Sequence, residues 1–107
     1  MEHARFVPRG LMLAAALAAC SAQGADDNTR LRTRALAATC AQCHGTEGRA
    51  VPGEALVRLA GLPQEYILAQ LMAFRNGQRS ATIMHQITKG YSQEQLETLA
   101  TFFASQR

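Results

Sequence analysis

The segment Cys40-Ala41-Gln42-Cys43-His44 constrains this chain more than any other stretch of it. Two thiols stand three residues apart, and a histidine follows the second directly. A structural zinc site needs four ligands, usually as two well-separated pairs. No second cysteine pair exists here; His85 could add one ligand, but a carboxylate would still be required. A thioredoxin-like redox pair belongs in a strand–helix–strand context, and no run of period-two apolar residues is present. The third chemistry is thioether attachment of a haem, for which C-x-x-C-H is the recognised pattern. Thiols one helical turn apart can reach two vinyl groups on one side of a porphyrin, and the adjacent histidine is then aimed at the iron.

Size makes that reading stronger. Of 107 residues, the first 24 have the form of an export signal: Arg5 and Arg9 lead an unbroken apolar run from Leu11 to Ala19, with small residues after it. The run is too short to span a bilayer, which takes about 20 apolar residues. Residues 1–24 are therefore expected to be removed, leaving a domain over 25–107 in an oxidising compartment, the bacterial periplasm. "LAAC" at Leu17–Cys20 also fits the lipobox of a lipoprotein signal (1–19), in which Cys20 would become the acylated first residue; membrane attachment is expected only in that case. Residues 25–107 hold nine basic and seven acidic groups, no tryptophan and few aromatics. That balance is too mild for a nucleic-acid binder. A domain so small struggles to bury enough apolar surface without a staple or a cofactor, and two or three cysteines do not make a disulfide framework. A haem would fill the middle.

The remaining patterns are helical. After a polar linker at 24–28, Thr29–Cys43 reads as a helix capped by Asn28 or Thr29. Leu36, Cys40, Cys43 and His44 fall on one face of it. A glycine-punctuated loop covers 45–61. Pro63 opens a second helix and Gly77 closes it, with Ile67, Leu68, Leu71, Met72 and Arg75 as the inward stripe. A second connection covers 76–90, with one helical turn near 83–88. Ser92-Gln93-Glu94-Gln95 is a capping box, and Tyr91 and Leu96 stand at staple positions. Leu96, Leu99, Ala100 and Phe103 form the stripe of a C-terminal helix. The fold expected is all-α: three main helices and long loops wrapped around one covalently bound haem. Loops this long in so small a domain are usually functional.

His44 takes one iron face, and Met72, Met84 and His85 compete for the other. Met72 lies in an apolar stripe, where methionine is usually core filling. Met84 lies in the second connection, forty residues beyond His44, where the chain can cross to the opposite face, and it is favoured. His85 next door would give a bis-histidine site, or is simply a partly exposed loop histidine. Methionine sulfur favours ferrous iron and raises the potential. An iron closed on both faces has no position for substrate, which points to an electron carrier rather than an enzyme.

These residues resemble class I cytochrome c. "CAQCHGTEG" (40–48), "LAGLPQEYILAQLMAFRNGQR" (59–79) and "MHQITKGYSQEQLETLATFFASQ" (84–106) look like the small bacterial haem proteins that include the cytochrome subunit of flavocytochrome c sulfide dehydrogenase and related dihaem cytochromes. The resemblance implies one haem c on Cys40 and Cys43, with His44 and Met84 as iron ligands. It implies crossed N- and C-terminal helices touching through Leu31–Leu36 and Leu99–Phe103. Redox proteins are the implied partners, with a flavoprotein dehydrogenase of the sulfide type as the donor; a free shuttle to a terminal oxidase is the alternative, and a five-coordinate sensor or peroxidase-like haem protein would follow if Met84 does not bind. Arg75, Arg79 and Tyr66 are candidates for contacts to the haem propionates. The family often carries proline two residues before the leucine of "LAG", where its carbonyl orients the ligand histidine; Val57 stands there in this chain, and a carbonyl remains whatever the side chain.

Overall fold

The structure is a computed structural model that describes the backbone of residues 9–53 and 56–107, and the surroundings of the side chains of residues 23–53 and 56–107. The residues before 23 that the sequence reading assigns to an export signal, including Arg5, Arg9, the run Leu11–Ala19 and the Cys20 thiol, lie outside the described side chains. Among the described residues there are four α-helices, α1 (Arg9–His44), α2 (Gln64–Arg75), α3 (Met84–Lys89) and α4 (Gln93–Ser105), with a short 3₁₀ turn at Thr46–Gly48. No strand occurs among the described residues, and no described helix is long and apolar enough to cross a membrane. The chain divides into two compact units, Met1–Arg32 and Thr33–Arg107.

In the first unit, the expected linker at 24–28 is helical instead. The residues read as caps spend their side chains along the helix. Asn28 Oδ1 accepts from Arg32 Nε at 3.2 Å, Asp27 pairs with Arg30 at 3.1 Å, and the Thr29 hydroxyl donates to the Ala25 carbonyl. Pairs three and four apart support a helix, whereas a cap would turn the same oxygens onto backbone N–H groups. Leu31 is exposed.

The second unit carries one core. Ala37 of α1, Ile67 of α2, and Leu96, Leu99, Ala100 and Phe103 of α4 are buried together, with Leu36, Cys40, Leu71 and Met72 packed against them. The α4 stripe is the one its period predicts. Ser92 caps α4 through a full capping box: Ser92 Oγ accepts from the Gln95 N–H, and the Ser92 N–H donates to Gln95 Oε1. Tyr91 packs on the core beside it, and its hydroxyl meets that of Thr39 on α1 at 2.6 Å. α2 ends as Gly77 suggests. Gly77 has φ +74°, and the N–H groups of Gly77 and Gln78 return to the carbonyls of Phe74 and Ala73, the Schellman pattern.

The loop after α1 is tied at both ends through Gly48. Its carbonyl accepts from the N–H groups of Leu59 and Ala60 at 2.8 and 3.0 Å. Glu47, beside it, has φ 55°, a region that costs a non-glycine residue about 1–2 kcal/mol. Its carboxylate is held by two ion pairs, to Arg34 on α1 at 3.0 Å and to Arg49 at 2.9 Å. Arg49 in turn donates to the carbonyl of Arg107 at 2.8 Å, which fastens the C-terminal residue to the loop.

Candidate functional site

Between these elements of the second unit lies a cavity of about 370 Å³. α1 contributes Thr39, Cys40, Cys43 and His44; the loop contributes Leu56, Val57 and Leu59; α2 contributes Tyr66, Ile67, Gln70, Leu71 and Phe74. Arg79, Ala81, Thr82 and Ile83 follow, then Met84 and Ile87 of α3, and Leu99 and Phe103 of α4. Nearly all of this wall is apolar. A void of this character beneath so small a core is what a flat apolar cofactor requires.

The helical stripe of α1 explains why both thiols and the imidazole meet there. Cys40 also touches the hydrophobic core, and burial pushes its thiol above the ordinary range. It therefore stays a neutral thiol in an apolar wall. Cys43 is exposed, and neither cysteine is in a disulfide. Among the described residues no cluster of three or more His, Cys, Asp or Glu side chains is arranged to hold a metal ion on its own.

His44 is oriented by the loop. Its Nδ1 lies 2.7 Å from the carbonyl oxygen of Val57. A carbonyl only accepts, so Nδ1 carries the proton and Nε2 keeps its lone pair for a metal. Valine in place of the frequent proline leaves this bond in place, because the acceptor belongs to the backbone.

Of the three candidates for the second iron face, Met84 lines the cavity. Met72 packs against the hydrophobic core instead. His85 is half-buried on α3 and is not among the lining residues; its Nδ1 is buried without a hydrogen-bond partner. Arg79 and Tyr66 line the cavity, and Arg75 does not. Gln70, which the sequence did not single out, also lines it and accepts a hydrogen bond from Arg79. Its spacing of four from Tyr66 was the available signal, since it puts both on one face of α2.

Thus the thiols, the oriented imidazole and the thioether converge on one apolar cavity, and the donor set suits a haem attached through Cys40 and Cys43. Comparison with known proteins agrees. Residues 32–106 match the family described as Cytochrome c. The chain is 40% identical over 68 residues to a thiosulfate dehydrogenase electron acceptor of Thiomonas intermedia, a match covering 64% of this chain and 31% of that protein. It is 35% identical over 77 residues to the cytochrome subunit of sulfide dehydrogenase of Chlorobaculum tepidum, covering 72% and 68% respectively. It is 34% identical over 74 residues to cytochrome c4 of Pseudomonas aeruginosa, covering 69% and 36%. The chain thus spans about a third of the first and last of these relatives.

Proposed function

The chain belongs to the cytochrome c family, and we propose that it is a periplasmic carrier of single electrons, with His44 and Met84 as axial iron ligands. Its cofactor is haem c, which supplies the one-electron chemistry when bound. Cys40 and Cys43 hold that group by thioether bonds, and His44 offers Nε2 because the Val57 carbonyl engages Nδ1. Met84 offers a soft sulfur that favours the ferrous state, and the apolar lining disfavours the extra charge of the ferric one; both effects raise the potential. With both axial positions filled from the chain, no position remains for a substrate. The reading is accordingly a carrier and not an enzyme.

The single observation that carries the ligand assignment is that Met84 shares the cavity with Cys40, Cys43 and His44 while Met72 lies in the core. The proposed donor is an exported flavoprotein dehydrogenase that oxidises sulfide. One relative supports sulfide as the electron source by its name, a cytochrome subunit of sulfide dehydrogenase; another, named as the electron acceptor of thiosulfate dehydrogenase, supports a dehydrogenase donor in general. The apolar run at Leu11–Ala19 supports export.

The test uses haem-loaded protein and its Met84→Ala and Met72→Ala variants. The ferric absorption band at the red end of the visible, which reports iron–sulfur ligation, is expected to vanish in the first variant and persist in the second. The reverse pattern overturns the assignment. For the donor, the oxidised protein is mixed anaerobically with a flavoprotein sulfide dehydrogenase and sulfide. Rapid reduction is expected; reduction by dithionite alone would remove this donor and leave the carrier role.

A further inference from the structure

Met84 opens α3, a helix of six residues. A helix that short does not hold itself together in water, so the place of Met84 has to come from contacts beyond the helix ladder. Met84, Ile87 and Thr88 stand at i, i+3 and i+4, which is one face. Met84 and Ile87 line the cavity. Thr88 is 1% exposed and is the one buried polar side chain among the described residues. Ile83, directly before Met84, is exposed. The buried footing of α3 is thus near its far end.

A hydroxyl sealed from water must find its acceptor within the protein. Thr88 Oγ1 donates to the Met84 carbonyl at 2.9 Å, with the His85 carbonyl next at 3.5 Å. The bond closes on the backbone of the residue that brings a thioether to the cavity wall. Bonds from threonine to the carbonyl four residues back are ordinary in helices, and Thr98 and Thr101 make them in α4, to Glu94 and Glu97 at 2.9 Å each. Thr101 is exposed, however, so its hydroxyl can exchange that carbonyl for water. Thr88 has no such exchange, and releasing the Met84 carbonyl would strand a buried hydroxyl.

We propose that Thr88 is a positioning residue for the axial sulfur: its buried hydroxyl pins the Met84 backbone and so keeps the thioether from leaving the iron. Chain ends and helix termini open most readily, and Met84 stands at such a terminus. The bond from Thr88 ties that first residue to the buried one near the other end of α3. The inference goes beyond the proposed ligand set and rests on Met84 belonging to it.

The experiment is titration of the ferric haem-loaded protein with imidazole, which competes with the thioether for iron; loss of the red-end band is the readout. Imidazole binds once Met84 has let go, so its apparent affinity reports how much of the protein is open. Thr88→Val keeps the shape of the side chain and removes the hydroxyl. Imidazole should then bind about three- to tenfold more tightly, the weight of one hydrogen bond. Thr88→Ser keeps the hydroxyl and removes a buried methyl group; it should lower the unfolding midpoint and leave the imidazole affinity near its original value. Thr101→Val removes the same kind of bond away from the cavity and should not change the affinity. An unchanged affinity in Thr88→Val, a Thr88→Ser as tight as Thr88→Val, or an equal gain in Thr101→Val would each overturn the proposal. Should Thr88→Val not mature, Thr88→Ala and Thr88→Ser decide, since they differ by the hydroxyl alone: tighter binding in the alanine variant supports the pinning, and equal binding ends it. A red-end band that persists in Met84→Ala would instead refute the ligand assignment, and this inference would fall with it.

Discussion

Replacing Gly48 by alanine would test how the loop, the core and the cavity depend on one another. Gly48 has φ +75°, and a Cβ built there would lie 2.7 Å from Phe103 Cδ1, 2.9 Å from the Leu59 Cβ and 3.0 Å from the Ala60 nitrogen. The left-handed backbone costs an alanine about 1–2 kcal/mol. Forcing a methyl group into packed surroundings adds about 1–3 kcal/mol. Gly77 supplies the control: its φ is +74°, and nothing lies within 4 Å of the Cβ position. Gly77→Ala should therefore lose only the backbone term. At ~4–8 °C per kcal/mol for a domain of this size, Gly77→Ala should lower the midpoint by roughly 4–16 °C. Gly48→Ala should lower it by at least ~4–8 °C more, because the two backbones are alike and the difference is packing. The assay is thermal unfolding of haem-loaded protein followed by far-ultraviolet circular dichroism. Leu59 and Phe103 also line the cavity, so the haem absorption bands should shift in Gly48→Ala and not in Gly77→Ala. Equal midpoints for the two variants would refute the packing argument.

Two further outcomes follow from the same contacts. Tyr91→Phe and Thr39→Val each remove one partner of the 2.6 Å bond between the start of α4 and α1, at about 0.5–1.5 kcal/mol; in denaturant unfolding the double variant should cost less than the sum of the two, whereas strict additivity would show that the bond contributes nothing. Val57→Ala should leave both the red-end band and the potential unchanged, because His44 is held by a backbone carbonyl; a spectral change as large as that of Met84→Ala would show that the side chain, and not the carbonyl, sets the imidazole.

What the sequence disclosed was mostly local. The capping box at Ser92 is a four-residue signal, and the observed bonds stay within it. The α4 stripe is a matter of period, and its four residues are the buried ones. The run Gly24–Asn28 misled because Asp, Asn and Gly favour turns in isolation. Here the Asp27 and Asn28 side chains found partners three and four residues away along the helix, which turned breakers into neutral members of α1. Contacts that depend on distant chain segments left no trace in the pattern. The Thr39–Tyr91 bond joins residues 52 apart in sequence, and Gly48 in the loop lies against Phe103 of the last helix.

The site was legible to the extent that its chemistry is compressed into five residues, and it became illegible where helical register decides. Met72 and Met84 are chemically identical, and Arg75 and Arg79 are too. Period put Met72 in the apolar stripe of α2, where it packs on the core, and the place of Met84 beyond the second connection is one from which it lines the cavity. The arginines could not be sorted that way. Arg75 was read as the edge of the inward stripe, but α2 serves two apolar surfaces: Ile67 and Leu71 belong to both the core and the cavity, while Tyr66, Gln70 and Phe74 line the cavity. One residue beyond Phe74 the side chain has rotated out of the cavity. Arg79 lines it from beyond the turn at Gly77, whose conformation favours glycine. Which of two equal charges lines the cavity thus depends on where α2 stops, and the stacking on Phe74 together with the bond to Gln70 then holds the Arg79 guanidinium at the wall.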